Sequence, residues 1–260
     1  MRKSLLLIIL QLLIAGAFAQ VRVSKLVIKP KEVYTMGQSD IIVADTLVMM
    51  DDSKIVLNSL KKENYIRVKV AIFGNNTMID GTGVDGKAGL NGKPYNVPTG
   101  PCQNGQQGRN GMRGLDGGPG INLFLYIDKI TANGRLIISL AGGNGGNGGD
   151  GGEGGGGSPG TLHCRGGNGG TGGNGGNGGN GGEGGTLTIG GNDVPAIKAM
   201  ISNYIVLLNK GGNFGYAGIS GPGGSAGLGP SKRNGRDGNR GTEGVNGRSG
   251  TNGTIHFEEI

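Results

Sequence analysis

Tryptophan is absent from this chain, and 260 residues hold only five phenylalanines, six tyrosines, two histidines and two cysteines. Each shortage excludes something. A nucleic-acid surface wants a basic stripe interleaved with aromatic platforms, but here the basic residues are scattered and SKRNGR (231–236) is their one cluster. His163 and His256 lie far apart, with no second thiol pair beside them, so a zinc site has no ligand set. Beyond the first turns of the chain no apolar run approaches the length a bilayer needs. Hydrophobic residues make up 34%, too few for one large conventional core, so they must be concentrated.

MRKSLLLIILQLLIAGAFA opens with Arg2 and Lys3, continues with an apolar run over 5–15, and ends with Ala17 and Ala19 around Phe18. These are the three regions of a secretory signal peptide over 1–19. The expectation is a secreted protein, extracellular or on the cell surface, without a transmembrane segment. The formal charge of +7 loses Arg2 and Lys3 with the signal, leaving a mild +5.

What the chain has in excess is glycine, 62 residues of it. Strand-like segments rich in β-branched residues fill 20–80: KLVIK (25–29), DIIVADTLVMM (40–50), KIVLN (54–58) and YIRVKVAIF (65–73). Glycine then recurs at every third position in tracts that fall into three pairs, 83–120, 142–185 and 212–253. Glycine-poor links at 93–104, 161–165 and 228–234 join the two limbs of each pair. Further strands intervene at 121–141 and 186–211 and close the chain at 254–260. Leu123, Leu125, Ile127, Leu136, Ile138, Ile205 and Leu207 are the expected core of these base strands.

A three-residue period matches a polyproline II-type helix, with three residues per turn and ~3.1 Å rise, so residues 166–185 would reach ~62 Å. Its backbone bonds nothing internally and needs partners, which side-chain-free neighbours can supply. The expected fold class is therefore mainly β and irregular. A small right-handed parallel β-helix-like base would carry an inserted bundle of six antiparallel polyglycine II helices, folded as three out-and-back arms over 81–253. The arm 142–185, with two glycine rows, belongs in the middle. Its third row, Asn144, Asn147, Asp150 and Glu153 with Asn168, Thr171, Asn174, Asn177, Asn180 and Glu183, faces water. A floppy linker would have no reason to keep phase over six or seven turns. A collagen triple helix fits poorly, with nine prolines and no tract longer than about seven triplets.

The two cysteines, Cys102 and Cys164, sit in the first and second links, and in an exported chain they are expected to pair and clamp the tip. The links also hold the candidate tip-binding residues: Tyr95 and Val97 in the first, His163 and Arg165 in the second, Lys232 and Arg233 in the third.

Paired Gly-x-x and Gly-Gly-x tracts with cysteines at their turns resemble the glycine-rich antifreeze proteins of springtails. They are also similar to the tip adhesins of certain phage tail fibres and to the glycine-rich extracellular domain of the anaplastic lymphoma kinase receptor family. The resemblance covers 81–253 and rests on period and pairing. It implies an ordered bundle, and for function either ice binding or adhesion through the tip loops.

Chemistry-bearing motifs are otherwise missing. G-x-G-x-x-G matches are trivial at this glycine content, and GPSK lacks the phosphate-loop ending. Asp150 and Glu153 superficially suggest a calcium repeat, but the period is wrong. Asp51, Asp52, Lys54, Lys61, Lys62 and Glu63 crowd one region and are expected to be solvated turns. The expectation is a non-enzymatic structural or adhesive surface or matrix protein, with no cofactor and no metal. Its partner would be an unidentified surface protein or glycan, not nucleic acid, and self-assembly is open. The alternatives are an ice-binding protein and a carbohydrate-binding or carbohydrate-active β-helix protein.

Overall fold

The computed structural model describes residues 20–95, 98–201 and 203–258. The signal-peptide segment 1–19 and Val97 lie outside the described residues. Strands follow in chain order as β1 (Gln20–Ile28), β2 (Val33–Thr35), β3 (Ile41–Met49), β4 (Lys54–Val56), β5 (Glu63–Phe73) and β6 (Thr77–Asp80). After the first pair of glycine tracts come β7 (Asn122–Ala132) and β8 (Leu136–Ser139). After the second pair come β9 (Leu187–Gly190), helix α1 (Val194–Met200) and β10 (Ile205–Leu208). After the third comes β11 (Ile255–Glu258).

Odd-numbered strands form one sheet in the order β1-β3-β5-β7-β9-β11, and even-numbered strands form a second in the order β10-β8-β6-β4-β2. Every pairing is parallel and in sequence order, so the chain coils from one sheet to the other and back. Alternate residues point inward. The register therefore stacks like on like, as in the fully buried columns Ile42–Ile66 and Met49–Phe73. Leu123, Leu125, Ile127, Leu136, Ile138 and Ile205 are buried, while Leu207 is half-buried against this core. One corner repeats along the coil: Lys31, Asp52 and Asn76 take left-handed φ of 61°, 57° and 52°. The first two amides are held by the next turn, Lys31 N–H by Asp51 O and Asp52 N–H by Asn75 O, while the amides after them close the corner locally, Glu32 N–H on Lys29 O and Ser53 N–H on Met50 O.

The fold class read from the sequence needs correction. The regular structure is two parallel sheets of eleven strands with a single α-helix, and no glycine tract contains a helical element among the described residues. That does not fit a bundle of six polyglycine II helices. The compatible part is the parallel β base, which carries the apolar core cluster. The physical reason lies in the tracts' hydrogen bonds. Their amides bond sideways to other tracts, which yields neither the self-bonded ladder of an α-helix nor the strand ladder of a sheet.

Those sideways bonds are nevertheless regular. In 142–160 the first glycine of each triplet donates to the tract that begins after β10, as in Gly145 to Asn213 O (2.8 Å) and Gly148 to Tyr216 O (2.8 Å). The second donates to the returning limb of the first pair, as in Gly146 to Leu115 O (2.9 Å) and Gly149 to Met112 O (2.9 Å). Residues 166–185 do the same toward 233–251 and toward 140–158. Outgoing limbs bond to outgoing limbs and returning to returning, with cross-bonds between the two sets, so the tracts form a two-layered plate. Glycine is required where carbonyls approach most closely: a Cβ on Gly175 would lie 2.0 Å from Gly218 O. The outermost limbs carry two side chains per triplet instead. Val84, Leu90, Met112 and Leu115 are exposed on the two limbs of the first pair.

Candidate functional site at the tip of the glycine plate

The three links are gathered at the end of the plate remote from the sheets. Cys102 and Cys164 form a disulfide with Cα atoms 6.1 Å apart, joining the first link to the second. The second is tied to the third through the Arg165 guanidinium, which donates to Asn234 O (3.0 Å), and that of Arg233, which donates to Leu162 O (3.3 Å). The buried Ser158 hydroxyl donates to Pro98 O (3.1 Å), and Cys102 N–H to Pro159 O (2.8 Å), fastening the first link to the tract beneath it.

Three of the non-glycine residues with left-handed backbone lie here: Cys102 (φ 61°), Ser231 (φ 53°) and Lys232 (φ 63°). Each such residue costs about 1 kcal/mol or more, and the surrounding ties hold it there. Strain of this kind gathers where a shape is being imposed.

Beside the disulfide is a depression of about 630 Å³ lined by Lys93, Pro94, Tyr95, Pro98, Thr99, Gln103, Gln106 and Arg109. The Arg109 guanidinium carbon stands 5.7 Å from the centre of the Tyr95 ring. Main-chain bonds set both residues: Tyr95 N–H to Glu153 O (3.2 Å) and Arg109 N–H to Lys93 O (3.2 Å). The walls thus combine an aromatic face, two amides, a hydroxyl and two cations. Such a set can stack on a flat apolar face, bond hydroxyls and neutralise an anion.

Of the residues singled out in the sequence, Tyr95 lines this depression, while His163, Arg165, Lys232 and Arg233 lie exposed on the adjoining links. Val97 is outside the described residues. Lys93, Gln103, Gln106 and Arg109 went unnoticed, because in sequence they are ordinary polar residues within or just after the first link. Only the return of the second limb beside the first brings Gln106 and Arg109 to Tyr95.

The third-row residues are exposed or half-exposed, as expected, and seven of the ten are also ties. Oδ1 of Asn144, Asn147, Asp150, Asn168, Asn174, Asn177 and Asn180 each accepts a main-chain N–H from the neighbouring tract at 2.9 Å. The crowded group Asp51, Asp52 and Lys54 builds turns: Asp51 accepts from Asn75 N–H (2.7 Å), Asp52 from Asn76 Nδ2 (2.8 Å), and Lys54 pairs with Asp80 (2.5 Å).

A second depression, about 490 Å³, lies on the outer face of the first sheet. There the inward-outward alternation slips in successive strands, because Asp45, Lys69 and Asp128 fall between paired positions. Lys69 bonds Asp45 at 2.7 Å, and Arg67 and Asp128 lie beside them. Both partners of that ion pair are well exposed, so its contribution is small. No group of three or more His, Cys, Asp or Glu is placed to hold a metal among the described residues, and none of their helices is long and apolar enough to cross a membrane.

Comparison with protein-family models, curated proteins and solved structures finds no match to this chain.

Proposed function

We propose that this chain is a secreted, non-enzymatic structural or adhesive protein of a surface or extracellular matrix. Its parallel-sheet base docks or stacks, and its glycine plate projects as a stiff spacer that presents the three links to a partner. The observation that carries this reading is the continuous tract-to-tract hydrogen bonding that ends in a disulfide-tied tip. Such a projection holds a small binding face away from its anchorage without the entropy cost of ordering flexible loops on contact.

Display is favoured over ice binding because the polar row that would meet ice is spent on neighbouring amides. It is favoured over catalysis because the carboxylates nearest one another serve turns or a lysine.

The test is attachment. Beads carrying the purified protein should adhere to cells or matrix, and soluble protein altered at Tyr95 and Arg165 should fail to compete. Turnover of a polysaccharide by the purified protein, or attachment indifferent to the tip, would contradict the proposal.

A further inference from the structure

The links differ from the rest of the chain in one respect that bears on what they hold. Residues 93–104, 161–165 and 228–234 contain four cations, Lys93, Arg165, Lys232 and Arg233, and no carboxylate at all. The disulfide and the two arginine-to-carbonyl bonds bring these segments together. Arg109, from the returning limb, adds a fifth cation against the Tyr95 ring.

We infer that the tip is a binding site for an acidic polysaccharide. One sugar residue seats in the Tyr95 depression, and the anionic chain continues across the second and third links. The depression supplies what a sugar ring asks for. Tyr95 offers an aromatic face to the C–H side of the ring. Gln103 and Gln106 can both donate to and accept from hydroxyls, and Thr99 adds a hydroxyl of its own. Lys93 and Arg109 meet a carboxylate or sulfate, Arg109 with a planar fork suited to two-point contact. Prolines 94 and 98, the buried Ser158 and the disulfide hold these walls in place, so little ordering entropy is lost on binding. Single-stranded nucleic acid is a poorer fit. It wants successive aromatic platforms, and Tyr95 is the one tyrosine, phenylalanine or tryptophan in the three links.

This inference rests on the tip being the presented end, and the experiment separates the two. The oxidised full chain is titrated with polygalacturonate, dextran sulfate, neutral dextran, poly-glutamate and single-stranded DNA, at low and at physiological salt. The expected result is binding to polygalacturonate or dextran sulfate, the stronger of the two naming the acid group, and none to neutral dextran. Tyr95→Ala with Gln103→Ala should weaken it about tenfold or more, and so should Arg165→Gln with Arg233→Gln. The Tyr95 pair leaves net charge unchanged, so its effect reports the sugar seat. Equal binding of poly-glutamate and DNA that ignores Tyr95→Ala would overturn the inference in favour of bare charge attraction. No binding of either acidic polysaccharide would overturn it too, while tip-dependent bead attachment that soluble polygalacturonate cannot compete would leave the display reading standing. Protease resistance of the plate, measured on each variant, separates loss of the site from loss of folding.

Discussion

Adding one methyl group at Gly175 tests whether these tracts are packed. The new Cβ would lie 2.0 Å from Gly218 O, 2.6 Å from Gly218 C and 2.9 Å from Ile219 O. Contact becomes ordinary only near 3.4 Å, so the tract that carries Gly218 would have to retreat by about 1.4 Å. That retreat stretches Gly218 N–H to Gly176 O and its neighbours Gly215 to Gly179 O and Gly221 to Gly173 O, all 2.8 Å. Two or three main-chain bonds at ~1 kcal/mol each join an overpacking cost of ~1–3 kcal/mol. Against this, alanine restricts the unfolded chain and returns ~0.5–1 kcal/mol. The net expectation for Gly175→Ala is a loss of ~2–5 kcal/mol, or a fall in Tm of about 5–20 °C for a chain of this size. Thermal unfolding of the oxidised protein measures it. Gly100→Ala is the matched control, since its Cβ meets only the movable end of the Gln103 side chain and should change stability by less than ~0.5 kcal/mol. If Gly175→Ala were neutral or stabilising, as in a disordered linker, the packed plate would be refuted.

Three further outcomes follow from the same structure. Asn174→Ala should expose Thr242 N–H, costing ~1 kcal/mol and speeding its exchange, whereas Asn174→Asp keeps the acceptor and should be milder. Reducing the Cys102–Cys164 bond, which spans 62 residues, should cost up to ~4 kcal/mol by loop-closure entropy, and denaturant titration with and without reductant reads it. At Asp80 burial pushes the carboxyl up, but hydrogen bonds from Lys54 and Thr82 outweigh it and hold the pKa below the usual carboxylate range. A depressed acid contributes stability that is present above its unfolded pKa of ~3.9 and lost as pH falls through the folded value. Asp80→Asn should therefore flatten the pH dependence of unfolding below about pH 4 and leave its shape at neutral pH unchanged.

The long strands were legible because β-branched runs between polar turns leave a plain trace, and β3, β5 and β7 lie where those runs are. The strands β2 and β6 were not, since three or four residues, VYT and TMID, carry too little pattern to stand out beside a turn. Helix α1 was also overlooked. It is one short segment with Pro195 near its start, and it finds its place by burying Val194 and Ile197 beside β7. The glycine period was over-read: it says which residues can approach a neighbour, not which regular element the chain forms. The asparagine row was read correctly as facing solvent, but its second role was not legible, because nothing in a polar residue every third position shows the neighbouring amide 2.9 Å from its Oδ1. At the tip, Cys102 and Cys164 could be paired from sequence, but Arg109 could not be placed beside Tyr95, fourteen residues earlier, without the turn between them.

Amide exchange through 142–185 in the oxidised protein tests the central claim most directly. In this structure the glycine amides bond to carbonyls of neighbouring tracts at 2.7–3.0 Å, and Asn168, Asn174 and Asn180 donate to side chains of the adjoining limb. Protection should be strong along both limbs and fall away only near the link at 161–165. Exchange at the rate of an unfolded chain throughout the segment would mean that the tracts do not hold one another.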